Sequence, residues 1–209
     1  MTLRKQRQPL NYQTQNNSCW PTTVINGLTC VLDDKQLVPL FAVRLLHAAL
    51  EEEGIGGGGH KRPADWRIAM DGIETRCGVK ARHVPDRQAN RPPQSVEAAL
   101  ECIDFSKSVV VADVGAGSHS LLLVDRQEHH YYGFDPLWST IIDGAKRHDY
   151  ETFPDACLGE NQSKVDRRLR GRVNFAVDAA HLFAPAARPG WPYAMGAAAR
   201  RHITVLETL

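Results

Sequence analysis

Residues 117–136 read GSHSLLLVDRQEHHYYGFDP and carry the clearest structural signal in the chain. Aliphatic and aromatic side chains fill 119–124 and 130–134, and polar residues separate the two stretches. This pattern predicts two strands joined by a turn. A third stretch, 108–114, is rich in valine and precedes them across a glycine-containing connection. Together the three segments predict an antiparallel meander.

The predicted hairpin also brings two polar residues close together. If the chain turns about Gln127, residues whose numbers sum to 254 lie opposite one another, and His119 then faces Asp135. Directly opposed residues of an antiparallel pair have Cβ atoms about 4.5–5.5 Å apart. The Asp135 carboxylate would accept the imidazole N–H of His119 and fix its tautomer. We therefore predict that His119 is a general base and that Asp135 orients it.

The helix predicted closest to the amino terminus begins at a cysteine. Apolar residues recur at helical spacing across 24–32, Pro21 suits a first helical turn, and Ser18 is a candidate N-cap. Cys19 thus lies at the helix start, where the partial positive charge of the backbone favours the nucleophilic thiolate. We predict that Cys19 is a nucleophile.

A glutamine just before this helix completes a candidate site for acyl transfer. Attack on an amide carbonyl builds an oxyanion, which needs hydrogen-bond donors. Gln13, six residues before Cys19, is predicted to supply a side-chain amide beside the Cys19 backbone N–H. Gln15 is the alternative donor, and the sequence leaves the choice open.

The remaining elements divide the chain into a helical part followed by a β part. Further helices are predicted at 38–53, 66–76 and 95–103, and further strands at 79–84, 173–177 and 202–206. The Ala, Pro and Gly residues of 179–199 predict a surface excursion. Helices followed by a sheet indicate the α+β class. We expect one domain over 1–209, with a mainly helical half at 1–105 and a mainly β half at 106–209.

Composition limits the partners and the compartment. The 209 residues are 43% hydrophobic, enough for a sizeable core, and 25 basic residues against 24 acidic ones give a net charge of +1. Such a balance argues against nucleic-acid binding. Without a run of about 18 apolar residues or a Sec-type signal core, we expect no membrane insertion. The predicted location is the cytoplasm or, for an effector or toxin, another cell reached without a Sec signal.

No cofactor or metal is expected from the sequence. The five cysteines are odd in number and never form C-x-x-C, which argues against a disulfide framework or a zinc site. His129 and His130 are adjacent on a strand, point to opposite faces and cannot easily share an ion. The core is predicted to contain three cysteines that fall in apolar helical patterns, namely Cys30, Cys77 and Cys102. Cys157 is predicted to lie in a loop.

Two sequence windows resemble a known group of enzymes. Gln13 followed by Cys19-Trp20 resembles the Gln-x5-Cys-Trp motif of papain-like cysteine peptidases, and the segments around His119 and Asp135-Pro136 are similar to those of C39-like peptidases. The resemblance covers 13–32 and 109–138. It implies a papain-like α+β fold, with the nucleophile at a helix N-terminus packed on an antiparallel sheet.

The resemblance also implies an activity: a Cys-His-Asp hydrolase, with Gln13 as oxyanion donor, that cleaves peptide or isopeptide bonds of a protein or peptide substrate. Family members often carry Cys-Gly where this chain has Cys19-Trp20. Two alternatives keep the scaffold. A transglutaminase-like acyltransferase would use an amine in place of water, since such proteins also show a His followed about sixteen residues later by Asp-Pro. A papain-fold binding module would carry no activity.

Overall fold

The computed structural model of the protein describes part of the chain, namely residues 10, 19–32, 71, 74–75, 77–85, 94–115, 119–136, 151–152, 173–186 and 193–208. Three α-helices in these ranges are α1 (Cys19–Val31), α2 (Val96–Glu101) and α3 (Ala179–Leu182). The strands are β1 (Val79–Val84), β2 (Ser108–Val114), β3 (His119–Gln127), β4 (His130–Phe134), β5 (Glu151–Thr152), β6 (Phe175–Asp178) and β7 (Ile203–Thr208). The predicted helix at 38–53 and the four-residue glycine run at 56–59 lie outside the described residues.

The seven strands form one sheet in the order β1-β7-β2-β3-β4-β6-β5, and every neighbouring pair is antiparallel. The consecutive strands β2, β3 and β4 are the predicted meander. Strand β7 lies between β1 and β2, so a strand late in the chain fills a gap between two earlier ones. The combination of helices and antiparallel sheet confirms the α+β class.

Both faces of the sheet are buried. Successive side chains of a strand point to opposite faces, so each central strand contributes residues to both. One face packs against α1 and includes Val109, Val111, Leu122, Val124 and Leu206. The other face is covered by α2, α3 and the segment around residue 193, and it includes Val110, Ala112, Leu121, Leu123 and Val205. Side chains on both faces of the central strands therefore belong to a core.

Helix α1 lies very close to the sheet. Trp20, Val24 and Leu28 follow one another at intervals of four residues and are almost fully buried. Gly27 lies on the sheet side as well, where a Cβ atom would come within 2.6 Å of the Leu206 Cδ1 atom. The glycine therefore allows the helix axis to approach the strands. This close approach determines how far Cys19, on the same helix, lies from the sheet.

The chain near residue 193 is part of the core and corrects one prediction. The sequence predicted a surface excursion at 179–199, but Tyr193, Ala194 and Met195 are buried. Backbone hydrogen bonds tie this segment to the chain around α3, from Met195 N to Leu182 O and from Gly196 N to Ala184 O. Tyr193 and Met195 belong to the same apolar core as α3 and the face of the sheet that α3 covers, although the composition of the segment resembles that of a loop.

The hairpin of β3 and β4 has a different register from the predicted one. The turn lies at Glu128 and His129, and Gln127 pairs with His130. After an irregularity between Leu123 and Asp125, Leu122 pairs with Phe134. Numbers of paired residues therefore sum to 257 near the turn and 256 beyond the irregularity, and the predicted sum of 254 is wrong. Glu128 has a φ of 54°, the left-handed conformation that such a tight turn requires.

Most predicted elements in the described ranges are confirmed. Strands β1, β2 and β4 have the predicted bounds, while β6 and β7 begin one or two residues later than predicted. Of the predicted third helix, Asp71, Glu74, Thr75 and Cys77 are helical. Gly78 follows with a φ of 64°, as expected at a helix C-terminus. In the part of the chain described above, no helix is long and apolar enough to cross a membrane.

Candidate active site

Cys19 is the first residue of α1, and only 3% of its surface is exposed. The first turn of the helix contains no acidic residue, so no carboxylate within that turn opposes the partial positive charge of the helix N-terminus. The sequence places the thiol here because Pro21 in the first turn and the apolar spacing that follows define the start of the helix. The Cys19 side chain therefore lies at the N-terminal end of the helix, in a buried position.

Thr23 connects this helix start to the sheet. Its hydroxyl oxygen lies 2.7 Å from the Cys19 carbonyl oxygen, one helical turn back, and 3.0 Å from the Ser120 carbonyl oxygen on β3. Ser120 is the neighbour of His119, the first residue of that strand. The hydroxyl thus links the turn of helix that contains Cys19 to the start of the strand that carries the histidine.

His119 and Asp135 are in contact, as the sequence predicted, but not as directly opposed residues. The His119 Nε2 atom lies 2.7 Å from Asp135 Oδ1. Asp135 follows the last residue of β4, and continuing the observed register by one residue would set it opposite Leu121. His119 is two residues from that position, on the same face of the strand, so the pair is diagonal. The 13% exposed histidine side chain therefore reaches a carboxylate that is fully buried.

Two residues that the sequence did not predict hold Asp135. Asn174 accepts a hydrogen bond from the Asp135 backbone N–H (2.8 Å) and donates one to the Asp135 carbonyl oxygen (2.9 Å). The Tyr193 hydroxyl donates to Asp135 Oδ2 at 2.9 Å. Asn174 immediately precedes β6, and the available signal was a polar residue within the strand predicted at 173–177. Tyr193 lay in the predicted surface excursion. The carboxylate is thus fixed at its backbone and at both oxygens.

The charge state of His119 follows from these contacts. Burial lowers the pKa of the imidazole, but hydrogen bonds to Asp135 and Cys19, together with the attraction of those two groups, outweigh it and raise the pKa to about 10. The ring is therefore an imidazolium at neutral pH. Because Nε2 is engaged with Asp135, Nδ1 is the nitrogen left for the contact with Cys19. The histidine lies between a thiol and a carboxylate.

A second carboxyl group lies close to His119. Asp113 on β2 pairs with Ser120, and the Ser120 hydroxyl donates to Asp113 Oδ1 at 2.7 Å. Burial raises the pKa of Asp113 to about 7, against the opposing effects of the Ser120 hydrogen bond and the His119 charge. No pattern in the sequence pointed to Asp113. With a pKa of about 7, the Asp113 carboxyl group gains or loses its proton near neutral pH, close to His119.

Both candidate oxyanion donors, Gln13 and Gln15, lie outside the described residues, as does the predicted loop thiol Cys157. The four described cysteines are free. Cys30 is buried and Cys77 is half-buried, but Cys102 is exposed, which corrects its predicted place in the core. Cys102 follows the last residue of α2 as its C-cap, where the side chain leaves the apolar face.

The two adjacent histidines lie at the β3–β4 turn, His129 in the turn and His130 at the start of β4, and both are exposed. Within the described ranges, no group of three or more His, Cys, Asp or Glu side chains is placed to hold a metal ion. The candidate site for acyl transfer in the described ranges consists of the thiol of Cys19, the imidazole of His119 and the carboxylate of Asp135. No family model, curated protein or solved structure matches this chain.

Proposed function

We propose that this protein is a cysteine hydrolase that cleaves peptide or isopeptide bonds of a protein or peptide substrate through a thioester on Cys19. One observation carries the proposal. His119 is hydrogen-bonded to both Asp135 and Cys19, and its pKa is raised to about 10. A protonated imidazole beside a thiol at a helix start is the arrangement that keeps a cysteine in its nucleophilic form near neutral pH.

In the first half of the proposed reaction, the Cys19 sulfur attacks the carbonyl carbon of the amide. The carbon–sulfur bond forms as the carbonyl π electrons move to oxygen, and the backbone N–H of Cys19 with the Gln13 or Gln15 amide would stabilise that charge. His119 then gives its proton to the leaving nitrogen, the carbon–nitrogen bond breaks, and an amine departs. A thioester and a neutral imidazole remain.

In the second half, water replaces the amine. The neutral His119 removes a proton from water, and the resulting hydroxide attacks the thioester carbonyl. Collapse of the second tetrahedral intermediate breaks the carbon–sulfur bond and releases a carboxylic acid. The sulfur leaves as thiolate beside the imidazolium, so the starting charge state returns. Asp135 keeps the ring oriented through both halves and stabilises its positive charge.

The proposal extends to the fold and the setting of the enzyme. We propose that α1 and the sheet correspond to the nucleophile helix and the antiparallel sheet of the papain-like peptidases, with the substrate bound along the start of α1 and the start of β3. Support comes from Cys19 at the first position of a helix and His119 at the first position of a strand. The location proposed for this activity is the cytoplasm, or another cell after delivery without a Sec signal.

Selective alkylation tests the proposal on the protein alone. At about pH 6 an ordinary thiol is almost entirely protonated and reacts slowly, whereas a thiolate paired with an imidazolium reacts fast. Cys102 is exposed and serves as an internal reference within the same molecule. We expect iodoacetamide to modify Cys19 faster than Cys102, as read by peptide mass, and His119→Ala to reverse that order. Since Cys19 is only 3% exposed, the rate at Cys19 is also compared between the two proteins. Faster modification of Cys102 in the wild type, together with a Cys19 rate that His119→Ala leaves unchanged, would exclude an activated Cys19 and favour a silent binding module.

A comparison of cleaved proteins identifies the reaction. Extracts treated with the wild type should contain new amino termini that are absent after treatment with Cys19→Ala. Adding a primary amine with a cleaved peptide then separates two outcomes by mass. A free acid indicates hydrolysis, and an amide of the added amine indicates a transglutaminase-like transfer.

A further inference from the structure

The second oxygen of Asp135 has a dedicated partner. While Oδ1 lies 2.7 Å from His119 Nε2, the Tyr193 hydroxyl donates to Oδ2 at 2.9 Å. Both Asp135 and Tyr193 are fully buried, with no exposed surface. A buried carboxylate depends on such donors, because it has lost the water that would stabilise its charge. The tyrosine hydroxyl therefore supplies one of the donors that this buried carboxylate requires.

Tyr193 is held rigidly enough to act as a fixed donor. Its ring packs on Phe175 of β6 with ring centroids 4.6 Å apart. The next residue, Ala194, accepts a hydrogen bond from the Gly115 backbone N–H at the end of β2 (2.8 Å). The segment is therefore fastened to the same end of the sheet from which His119 projects.

A buried arginine fixes the chain on the other side of Tyr193. Arg201 donates from Nε to the Gly196 carbonyl oxygen (2.9 Å) and from Nη2 to the Phe183 carbonyl oxygen (2.6 Å), and it forms an ion pair with Glu97 of α2. Carbonyl groups on either side of the tyrosine are thus bound to a single guanidinium. The position of the hydroxyl is set by the core and does not depend on a free loop.

We propose that Tyr193 is a positioning residue of the Cys19 site, whose hydroxyl holds the Asp135 carboxylate aimed at His119 and thereby maintains the reactivity of Cys19. The inference rests on the proposed function, since it assigns a role within that site. In this role the tyrosine acts through the carboxylate. Its chemistry is hydrogen-bond donation alone, so the ring without the hydroxyl should fail.

Tyr193→Phe tests this role because it keeps the ring stacked on Phe175 and removes only the donor. Loss of a hydrogen bond to a charged group should lower the rate of Cys19 alkylation at about pH 6 by about tenfold and move the alkylation profile by about one pH unit towards alkaline values. The matched control is Tyr131→Phe. Tyr131 is also buried on the same face of the sheet, but its ring packs on Phe105 and Phe183.

The control variant should show the wild-type profile. An unchanged profile in Tyr193→Phe, with fast alkylation in the wild type, overturns the positioning role and leaves the proposed function intact. Slow alkylation of Cys19 in the wild type itself points instead to failure of the proposed function. The two failures are thus read from different samples.

A double-mutant cycle shows whether the tyrosine acts through the carboxylate. In an Asp135→Asn background, Tyr193→Phe should change the alkylation rate little further, because the charged acceptor is already gone. A full additional tenfold loss in that background would contradict the proposal. If Tyr193→Phe does not fold, 3-fluorotyrosine at this position keeps ring and hydroxyl as a stronger donor. The profile should then move towards acid, and an alkaline or absent movement counts against the role.

Discussion

The Thr23 hydroxyl oxygen lies 3.0 Å from the carbonyl oxygen of Ser120, a residue 97 positions later in the chain. The same hydroxyl lies 2.7 Å from the Cys19 carbonyl oxygen, so one side chain connects the thiol's turn of α1 to the strand that begins with His119. The relative position of the candidate nucleophile and the candidate base thus depends on a buried polar contact as well as on apolar packing.

Thr23→Val should loosen that connection, since it keeps the shape of the side chain and removes the hydroxyl. We expect a loss of about 1–3 kcal/mol in the free energy of unfolding, because buried carbonyl groups lose a donor. Alkylation of Cys19 at about pH 6 should slow severalfold as the thiol and imidazole separate. Thr23→Ser keeps the hydroxyl and is the control. Equal alkylation rates in the two variants would argue against a role for the contact.

Replacing the members of the His119–Asp135 pair should give graded losses of peptide cleavage. In the proposed mechanism His119 donates and accepts the reacting proton, so His119→Ala should remove detectable cleavage. Asp135→Asn keeps the side-chain volume and loses the charge that stabilises the imidazolium, and we expect a rate lower by a factor of about 10²–10⁴. Cleavage is measured on a substrate identified with the Cys19→Ala comparison. Full turnover by His119→Ala would remove the histidine from the mechanism.

Stability should fall at alkaline pH because of His119. Burial lowers the pKa of this imidazole, but its contacts with Asp135 and Cys19 raise it from 6.5 to about 10. Between these values the folded His119 holds a proton that an unfolded histidine releases. In the proposed ion pair, Cys19 gives up a proton that an unfolded cysteine keeps up to about pH 8.5, and this offsets the difference below that pH. Unfolding therefore becomes easier as pH rises from about 8.5, and the contribution of the histidine is lost above about pH 10.

Urea unfolding from about pH 8.5 to 10 isolates this effect. Asp113 also binds a proton on folding, but burial raises its pKa only to about 7, so its influence on the slope lies between 3.8 and 7. We expect His119→Gln to be less stable than the wild type at neutral pH and to show a flatter dependence over the alkaline range. Parallel curves for the two proteins would contradict the raised pKa of the histidine.

Gly133→Ala should destabilise the sheet just before Asp135. A Cβ atom there would collide with the backbone carbonyl oxygen of Leu122 and come within 2.5 Å of Phe175 Cζ. The carbonyl oxygen belongs to the β3–β4 ladder and cannot turn aside, so we expect a loss of about 3 kcal/mol or more. At Gly27 the nearest atom is the end of the Leu206 side chain, and alanine there should cost less, about 1–3 kcal/mol. Denaturant midpoints and slopes measure both, and an equal or reversed order would refute the ladder argument.

The sequence contained enough information to find the chemical groups but not all that holds them. Pro21 and the apolar spacing after it located Cys19 at a helix start, and the strands on either side of a polar turn brought His119 near Asp135. These signals are local, since they depend on helix caps and on hairpin length. The register was misjudged because the turn lies at Glu128 and His129 and the ladder contains an irregularity.

The partners of Asp135 were not predictable in the same way. Asn174 and Tyr193 are 39 and 58 residues away along the chain. The contact of Asn174 requires β6 to pair with β4, and the contact of Tyr193 requires the segment near residue 193 to pack against one face of the sheet. Composition even argued against Tyr193, because alanine, proline and glycine around it are typical of exposed loops. Long-range packing made these residues part of the site.

The place of β7 in the middle of the sheet has a consequence for how the protein is made. Translation delivers Cys19 first, then His119 and Asp135, while Tyr193 and the strand that joins β1 to β2 emerge afterwards. We expect a ribosome-bound chain stalled after residue 190, with a linker that clears the exit tunnel, to have a Cys19 that reacts no faster than Cys102 at about pH 6. Extending the stalled chain through residue 208 should restore the preference, so the thiol would gain its reactivity only after β7 has joined β1 to β2.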